Sequence, residues 1–205
     1  MNLFTRIIIA SLAMVSCMTS CAQKQSTKKE KMKTEKKMLV VYFSRAGENY
    51  SVGNIETGNT QLMAEMIAKE TGADLFRIVP EKAYPTNYKE CTEVAQKELR
   101  GKARPNIKGD IRVENYDIIF IGYPNWWGDA PMPVYTFIEK HQWKGKTVIP
   151  FCTHEGSGLS NTEEIQNACK NATCLKGIGI YGHTVQKSRA EAEKTIKDWI
   201  GSLHF

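Results

Sequence analysis

Small and hydroxyl-bearing residues lie at both ends of a loop that joins an apolar segment to an amphipathic one. Ser44 closes an unbroken apolar run over residues 38–43, and Gly58, Asn59 and Thr60 precede an amphipathic segment over residues 61–71. The run is typical of a buried parallel strand and the segment of a helix. A strand that leads into a helix through such a loop directs free backbone N–H groups, and the positive end of the helix dipole, at one point. We therefore predict an anion site, most simply for a phosphate.

The loop lacks the residues that two common nucleotide sites require. It has no Gly-x-x-x-x-Gly-Lys-Ser/Thr and no Gly-x-Gly-x-x-Gly, which argues against a nucleotide triphosphatase and against a dinucleotide site. Hydroxyls and backbone amides with little charge suit a terminal phosphate monoester. The alternative is an ordinary strand-to-helix turn, with Asn59 or Thr60 as the helix N-cap.

Two later loops also carry unusual residue types. Pro-Asn-Trp-Trp-Gly at residues 124–128 follows the strongest buried-strand pattern of the chain, and Thr-His-Glu-Gly-Ser-Gly at residues 153–158 follows an apolar strand. Adjacent tryptophans directly after a sheet strand are poor core material, so we expect one indole to stack on a flat ligand ring. The alternative is a hydrophobic plug packed on a helix.

The elements that position these loops alternate along the chain. Strands are predicted at residues 38–44, 74–79, 116–123, 147–152 and 175–181, and helices at residues 61–71, 87–100, 133–141, 161–170 and 188–203. This alternation predicts an α/β domain whose parallel sheet has helices on both faces. In such sheets, ligands bind outside the carboxyl ends of the strands, where the strand order reverses. The three loops follow strands one, three and four, so we expect them to converge on one crevice.

The first 37 residues differ in composition from the rest. Residues 1–20 combine Arg6 with a short apolar stretch, as in a secretion signal, and are too short to span a bilayer stably. The segment 18–21 resembles a lipobox, so we expect an exported, membrane-anchored lipoprotein acylated at Cys21, with Cys17 as the second candidate. Plain signal cleavage and a soluble periplasmic product are the alternative. Residues 21–37 are predicted to be a Lys-rich disordered tether, and residues 38–205 the folded domain.

The charge and the cysteines exclude two classes of function. Of 28 basic and 22 acidic residues, eight and two lie within residues 1–37, which leaves 20 of each in the domain. A neutral domain without a basic stripe is not expected to bind nucleic acid. The six cysteines form no Cys-x-x-Cys, and no Cys/His spacing fits zinc. Cys169 and Cys174 flank a short turn and could form a disulfide or remain half-buried thiols.

Residues 38–205 resemble the flavodoxin-like family, and within it the short-chain flavodoxin-type proteins of bacteria. The matching pieces are Tyr42-Phe43-Ser44-Arg45, Gly58-Asn59-Thr60, Tyr84-Pro85-x-x-Tyr88, Tyr116-Asp117-x-Ile119-Phe120-Ile121-Gly122-Tyr123-Pro124-x-Trp126-Trp127 and Thr153-x-x-Gly156-Ser157-Gly158. The resemblance implies a three-layer, doubly wound fold with a five-stranded parallel sheet of order 2-1-3-4-5. It also implies bound flavin mononucleotide (FMN).

The resemblance, together with the loop chemistry, assigns a set of cofactor-binding residues. The phosphate is expected on the first loop, where Arg45 could add a positive charge, and the isoalloxazine between the second and third loops. The full set is Ser44, Arg45, Gly58, Asn59, Thr60, Pro124, Asn125, Trp126, Trp127, Gly128, Thr153, His154, Glu155, Gly156, Ser157 and Gly158.

Electron transfer is the function that the resemblance implies. One form is a carrier that exchanges electrons with a redox partner protein. Another is an NAD(P)H-dependent reductase of quinones, flavins or another small electron acceptor. A third hypothesis is a domain that has lost its flavin and binds another ligand or partner. The long loop 45–57 and the neutral surface favour a substrate site, whereas the lack of a second, nicotinamide-binding domain favours a carrier. We expect a carrier, held at a membrane by its lipid anchor.

Overall fold

The computed structural model describes residues 36–205. The predicted signal segment, the tether up to residue 35 and Cys21 lie outside the described residues. The elements in chain order are β1 (Met38–Tyr42), β2 (Gly47–Asn49), β3 (Gly53–Ile55), α1 (Asn59–Thr71), β4 (Asp74–Arg77), β5 (Val79–Pro80), α2 (Tyr88–Arg100), β6 (Ile107–Lys108), a 3-10 turn (Val113–Asn115), β7 (Ile118–Pro124), α3 (Met132–Glu139), β8 (Thr147–His154), α4 (Thr162–Ala168), β9 (Thr173–Cys174), β10 (Ile178–Tyr181), α5 (Gly182–Lys187) and α6 (Arg189–Ser202).

A parallel sheet forms the centre of the domain. Its strands follow the order β4-β1-β7-β8-β10, and the short β9 also pairs with β8. The pairs β1–β4, β1–β7, β7–β8 and β8–β10 are all parallel. Numbered along the chain, the five main strands have the order 2-1-3-4-5, so the predicted doubly wound α/β topology is confirmed. The strand order reverses beside β1, which is where the first loop begins.

Helices cover both faces of the sheet and form two separate cores. Leu39 and Val41 of β1 pack into the cluster that includes α3 and α4, whereas Val40 and Tyr42 pack into the cluster that includes α1, α5 and α6. Because successive side chains of a strand point to opposite faces, an unbroken apolar run is what a strand buried on both sides requires. The sequence of β1 is therefore explained by its central position in the sheet.

The fifth strand, predicted at residues 175–181, is observed only at Ile178–Tyr181 (β10), and the short β9 (Thr173–Cys174) precedes the predicted range. Leu175 donates its N–H to the carbonyl of Val148 at 3.0 Å. Pro150, two residues further along β8, points its backbone to the same edge, where it has no N–H to donate. The ring of Pro150 lies close to Gly177, where an added Cβ would approach its Cγ to 2.8 Å. The pairing is interrupted at this point and resumes at Ile178 opposite Phe151.

Two elements near the carboxyl edge of the sheet are absent from the sequence prediction. Residues 45–57 contain the antiparallel hairpin β2–β3, and residues 182–187 form the short helix α5. No helix within residues 36–205 is long and apolar enough to cross a membrane. Cys169 and Cys174 both carry free thiols.

Candidate functional site

The three glycine-, hydroxyl- and tryptophan-containing loops meet at the carboxyl edge of the sheet. The hydroxyls of Thr60 and Thr153, both buried, lie 2.7 Å apart, which joins the start of α1 to the end of β8. Asn125 donates its backbone N–H to the carbonyl of Thr153 at 2.8 Å, which joins the second loop to the third. A cavity of about 320 Å³ opens between the loops.

Ten of the predicted site residues line this cavity, namely Arg45, Asn59, Pro124, Asn125, Trp126, Trp127, Thr153, His154, Glu155 and Ser157. The other six lie in the same loops without lining it, namely Ser44, Gly58, Thr60, Gly128, Gly156 and Gly158. The structure thus brings the three loops together around one space.

The junction of β1 and α1 exposes backbone donors without a protein partner. Helix α1 begins at Asn59, and its N-cap is Gly58, not Asn59 or Thr60 as the alternative interpretation of this loop had it. The cap is supplied from the strand instead, because Ser44 Oγ accepts the N–H of Gln61 at 3.0 Å. Within residues 36–205, the N–H groups of Asn59 and Thr60 donate to no acceptor. Free amides at a helix N-terminus are suited to an anion.

Glycine is required at position 58 because the strand end and the helix start lie in contact. A Cβ built on Gly58 would lie 2.3 Å from Ser44 Oγ and 2.4 Å from the carbonyl oxygen of Arg45. Both distances are far below van der Waals contact. The backbone therefore approaches the Ser44 hydroxyl directly, which places this hydroxyl at the N-terminus of α1.

Arg45 lines the cavity, but its guanidinium is directed at backbone carbonyls. It donates to Pro85 at 2.9 Å, to Glu48 at 2.6 Å and to Thr86 at 2.7 Å. The carboxylate of Glu48 in turn accepts the N–H of Tyr88, the first residue of α2, at 3.0 Å. A carboxylate is favourable at a helix N-terminus. Arg45 and Glu48 together fix the hairpin β2–β3 against the start of α2.

The two adjacent tryptophans have different environments. Trp126 is half-buried, and its ring lies edge-on to Phe43 and Tyr84 with centroid distances of 5.4 and 5.0 Å. Trp127 is 55% exposed, and its indole N–H donates to the carbonyl of Thr92 in α2 at 3.0 Å. Its φ of 58° is left-handed, which is rare for a bulky side chain. Trp127 is thus the indole with a free face, whereas Trp126 packs on core aromatics.

The third loop brings a carboxylate and two imidazoles to the cavity edge. His154 is buried and accepts the N–H of Gly156 on Nδ1 at 3.0 Å. Burial lowers the pKa of His154, and the bond that Nδ1 accepts requires this nitrogen to carry no proton. The carboxylate of Glu155 makes two hydrogen bonds with His183 of α5. Oε1 accepts the backbone N–H at 2.8 Å, and Oε2 lies 2.6 Å from Nδ1.

Comparison with known proteins agrees with this geometry. The family model described as flavodoxin matches residues 37–202, almost the whole described chain. This chain belongs to the flavodoxin family. No curated protein matches it.

The flavodoxin domain is also similar to solved structures of flavoproteins. A candidate flavoprotein from Bacteroides eggerthii is 32% identical with a TM-score of 0.62, over 82% of this chain and 97% of that chain. One from Bacteroides uniformis is 29% identical with a TM-score of 0.65, over 82% and 99%. A flavoprotein from Lactobacillus acidophilus, solved in complex with FMN, is 23% identical with a TM-score of 0.55, over 75% and 99%. The last is evidence for the fold alone.

One wall of the cavity in this flavodoxin was not assigned from the sequence. It comes from the hairpin and from α2, and consists of Asn49, Tyr50, Tyr88, Cys91, Thr92 and Ala95. The pattern of α2 predicts a helix with one apolar face, but not that the start of this face lines a cavity. The one local signal was the pair of exposed tyrosines, whose rings stack at 6.2 Å with an interplanar angle of 28°.

The short helix α5 braces the site from the other side and was also missed. Gln186 donates to the carbonyl of Thr57 at 2.7 Å and to the side-chain oxygen of Asn59 at 2.9 Å. A Cβ on Gly182 would lie 2.1 Å from the Asn59 amide nitrogen and 2.8 Å from Glu155 Oε1. Helix α5 therefore holds the start of α1 and the third loop in one arrangement.

Proposed function

We propose that this flavodoxin domain binds FMN and transfers electrons through it. The observation that carries the proposal is the pair of unpartnered amides at Asn59 and Thr60, set beside Ser44 and next to a cavity with an exposed indole. These groups fit a phosphate joined to a flat aromatic ring. The FMN complex of the Lactobacillus acidophilus flavoprotein, which shares the fold, supports the same cofactor.

The chain would hold the cofactor at both ends. The amides of Asn59 and Thr60 and the hydroxyl of Ser44 donate to the phosphate, with the dipole of α1 adding a favourable field. The indole of Trp127 offers an apolar face to the isoalloxazine, and residues 153–157 offer backbone donors and acceptors to its polar rim. A bound flavin supplies the ability to accept and release electrons. The protein supplies orientation and a boundary against water.

Arg45 has a structural role in this proposal. Three of its N–H groups already donate to carbonyls of residues 48, 85 and 86, so the phosphate is held chiefly by neutral donors. The positive end of α1 compensates the phosphate charge in place of a side chain.

The mouth of the cavity favours a second candidate function, reduction of a small planar acceptor such as a quinone. Tyr50, Tyr88 and Trp127 are 64%, 42% and 55% exposed, and all three line the cavity. Exposed aromatic side chains that gather around one opening are typical of ligand grooves. A protein partner of a pure carrier does not require this rim, whereas a planar acceptor could stack on it.

The decisive experiment is to purify a chain that starts at Lys36 and record its visible spectrum. We expect a yellow protein, or a colourless one that becomes yellow with FMN and binds riboflavin more weakly, since riboflavin lacks the phosphate. A protein that takes up neither flavin would overturn the proposal and favour a domain that binds another ligand. If the flavin is bound, bleaching by NADPH without a helper reductase supports the reductase, and its absence supports the carrier.

We also propose that the chain is exported and acylated at Cys21, so that the domain is held at a membrane. The apolar stretch and the residues before Cys21 support this proposal, and two or more acyl chains would anchor the protein stably. Mass spectrometry of membrane-derived protein should find a diacylated or triacylated N-terminal Cys21. An unmodified N-terminus at another residue would reject it.

A further inference from the structure

A carboxylate and an imidazole form a closely bonded pair at the edge of the cavity. Glu155 Oε2 lies 2.6 Å from His183 Nδ1, and Glu155 Oε1 accepts the backbone N–H of His183 at 2.8 Å. The Glu155 side chain is only 14% exposed and lines the cavity, whereas the His183 side chain is 45% exposed. Glu155 thus borders the cavity while both of its carboxylate oxygens bond to His183, whose side chain is partly exposed to solvent.

Apart from His183, the neighbours of Glu155 do not compensate the negative charge of its carboxylate. His154 of β8 and Tyr181 of β10 are the titratable side chains nearby, with Tyr181 lying 4.6 Å from the ring of His154 and 5.0 Å from that of His183. His154 accepts the N–H of Gly156 on Nδ1, and burial lowers its pKa. From α1, the uncharged amide of Asn59 lies near Glu155 Oε1, since both would crowd a Cβ on Gly182, and Gln186 of α5 donates to that amide. Among the described residues around the pair, His183 is therefore the group that can place a positive charge beside Glu155.

We propose that His183 sets the reduction potential of the bound flavin through Glu155. The proposal rests on the function proposed above, because it requires FMN in the cavity. His183 does not line the cavity, so it acts as a positioning and charge-compensating residue for a carboxylate that does. No such role follows from the sequence, where residues 155 and 183 are 28 positions apart.

The sign of the effect follows from charge. Reduction adds electrons, so a carboxylate beside the ring weakens binding of reduced FMN relative to oxidised FMN. A protonated His183 offsets that repulsion and fixes the carboxylate with both of its oxygens occupied. Removal of the imidazole charge should therefore favour the oxidised cofactor.

The test measures the dissociation constants of oxidised and of dithionite-reduced FMN, at about pH 6, where a free imidazole is largely protonated. His183→Gln keeps a polar side chain without the charge. We expect it to raise the ratio of the reduced to the oxidised constant about tenfold, which is a potential lower by about 30 mV for a two-electron couple. Glu155→Gln should lower the ratio by a similar factor. His183→Arg, which keeps a cation, should stay within about threefold of the wild type.

A double variant decides whether the imidazole acts through the carboxylate. His183→Gln with Glu155→Gln should match Glu155→Gln alone, because an imidazole without a carboxylate to offset has lost its role. His204→Gln is the matched control, since His204 is an exposed imidazole near the C-terminus, and it should leave the ratio unchanged. Thermal unfolding of each apo variant reports folding separately; if His183→Gln does not fold, Glu155→Gln and His183→Arg carry the test.

The outcomes separate this inference from the proposed function. A wild type that does not bind FMN would reject the function itself. A wild type that binds FMN, with a ratio that His183→Gln leaves unchanged, would overturn the role of His183 alone. A shift that persists in the double variant would also overturn it, because the imidazole would then act without Glu155. A purely structural role would lower stability and both affinities in parallel, with no change in the ratio.

Discussion

The contact at Gly58 gives a sharp prediction about how phosphate is bound. Gly58→Ala adds one methyl group at the N-cap of α1, at a φ of −66° and ψ of 150° that alanine adopts without strain. The cost is therefore steric. The new Cβ would lie 2.3 Å from Ser44 Oγ and 2.4 Å from the carbonyl oxygen of Arg45, and the second of these is a backbone atom that can move only with the loop between β1 and β2.

The expected magnitude follows from these contacts. Overpacking in a well-packed region costs about 1–3 kcal/mol, and displacement of Ser44 Oγ from the N–H of Gln61 removes a hydrogen bond worth about 1 kcal/mol. We expect Gly58→Ala to lower the free energy of unfolding by about 3 kcal/mol, which is a fall in Tm of roughly 6–12 °C for a domain of this size. A hydrogen bond to a charged phosphate is worth about 1.5–3 kcal/mol, so FMN affinity should fall about 10- to 100-fold.

The assay compares FMN with riboflavin by fluorescence quenching, beside thermal unfolding of the apo protein. Riboflavin affinity should change by less than about threefold, because riboflavin does not use the phosphate cradle. Gly201→Ala is the matched control: no atom lies within 4 Å of its added Cβ, and alanine is favoured over glycine in a helix by up to about 1 kcal/mol. It should keep both affinities and raise Tm slightly.

The reasoning fails if Gly58→Ala keeps the FMN affinity of the wild type. An equal loss of FMN and riboflavin affinity would also contradict it, because the damage would then not lie at the phosphate. Unchanged Tm with unchanged binding would mean that the strand end yields freely to the methyl group, so the close approach would have no functional meaning.

The remaining predictions concern the cavity wall and the buried hydrogen bonds. Trp127→Ala should lower FMN affinity about tenfold by titration calorimetry, through lost stacking, and change Tm little because the side chain is 55% exposed. Thr60→Val leaves the buried Thr153 hydroxyl unpaired and should cost about 1–3 kcal/mol in urea unfolding, whereas Thr60→Val with Thr153→Val should restore most of it. Burial raises the pKa of Glu98, so its contribution to stability is full below the ordinary carboxyl value and is lost as pH rises through the raised one. Glu98→Gln, which keeps an acceptor for the Tyr84 hydroxyl, should therefore gain stability relative to the wild type at about pH 8 but not at about pH 4; an equal difference at both would refute this.

The strands could be predicted because the signal for them is local, whereas their order 2-1-3-4-5 was implied by the resemblance to the flavodoxin-like family. An apolar run such as residues 38–43 is required wherever a strand is covered on both faces, and the alternation of strands with helices leaves few topologies. The order of the loops along the chain then predicts which of them share the carboxyl edge. The convergence of Thr60 with Thr153 is a consequence of that topology.

The parts that escaped prediction depend on partners far apart in sequence. Hairpin β2–β3 is fixed by hydrogen bonds to the segment 85–88: Arg45 donates to backbone carbonyls there, and Glu48 accepts a backbone N–H. Nothing within residues 45–57 indicates that contact. Helix α5 is too short to show a period, and its role comes from the bond of Gln186 to Asn59.

Sequence alone determined the parallel sheet with helices on both faces and the three loops at its edge, because hydrophobic periodicity and turn chemistry are properties of neighbouring residues; the strand order came from the family resemblance. Tertiary structure decided that Trp127 has the free indole face, that the guanidinium of Arg45 bonds to backbone carbonyls, and that Glu155 is paired with His183. These assignments depend on which side chains the fold brings within hydrogen-bond distance, and spacing along the chain does not encode that distance.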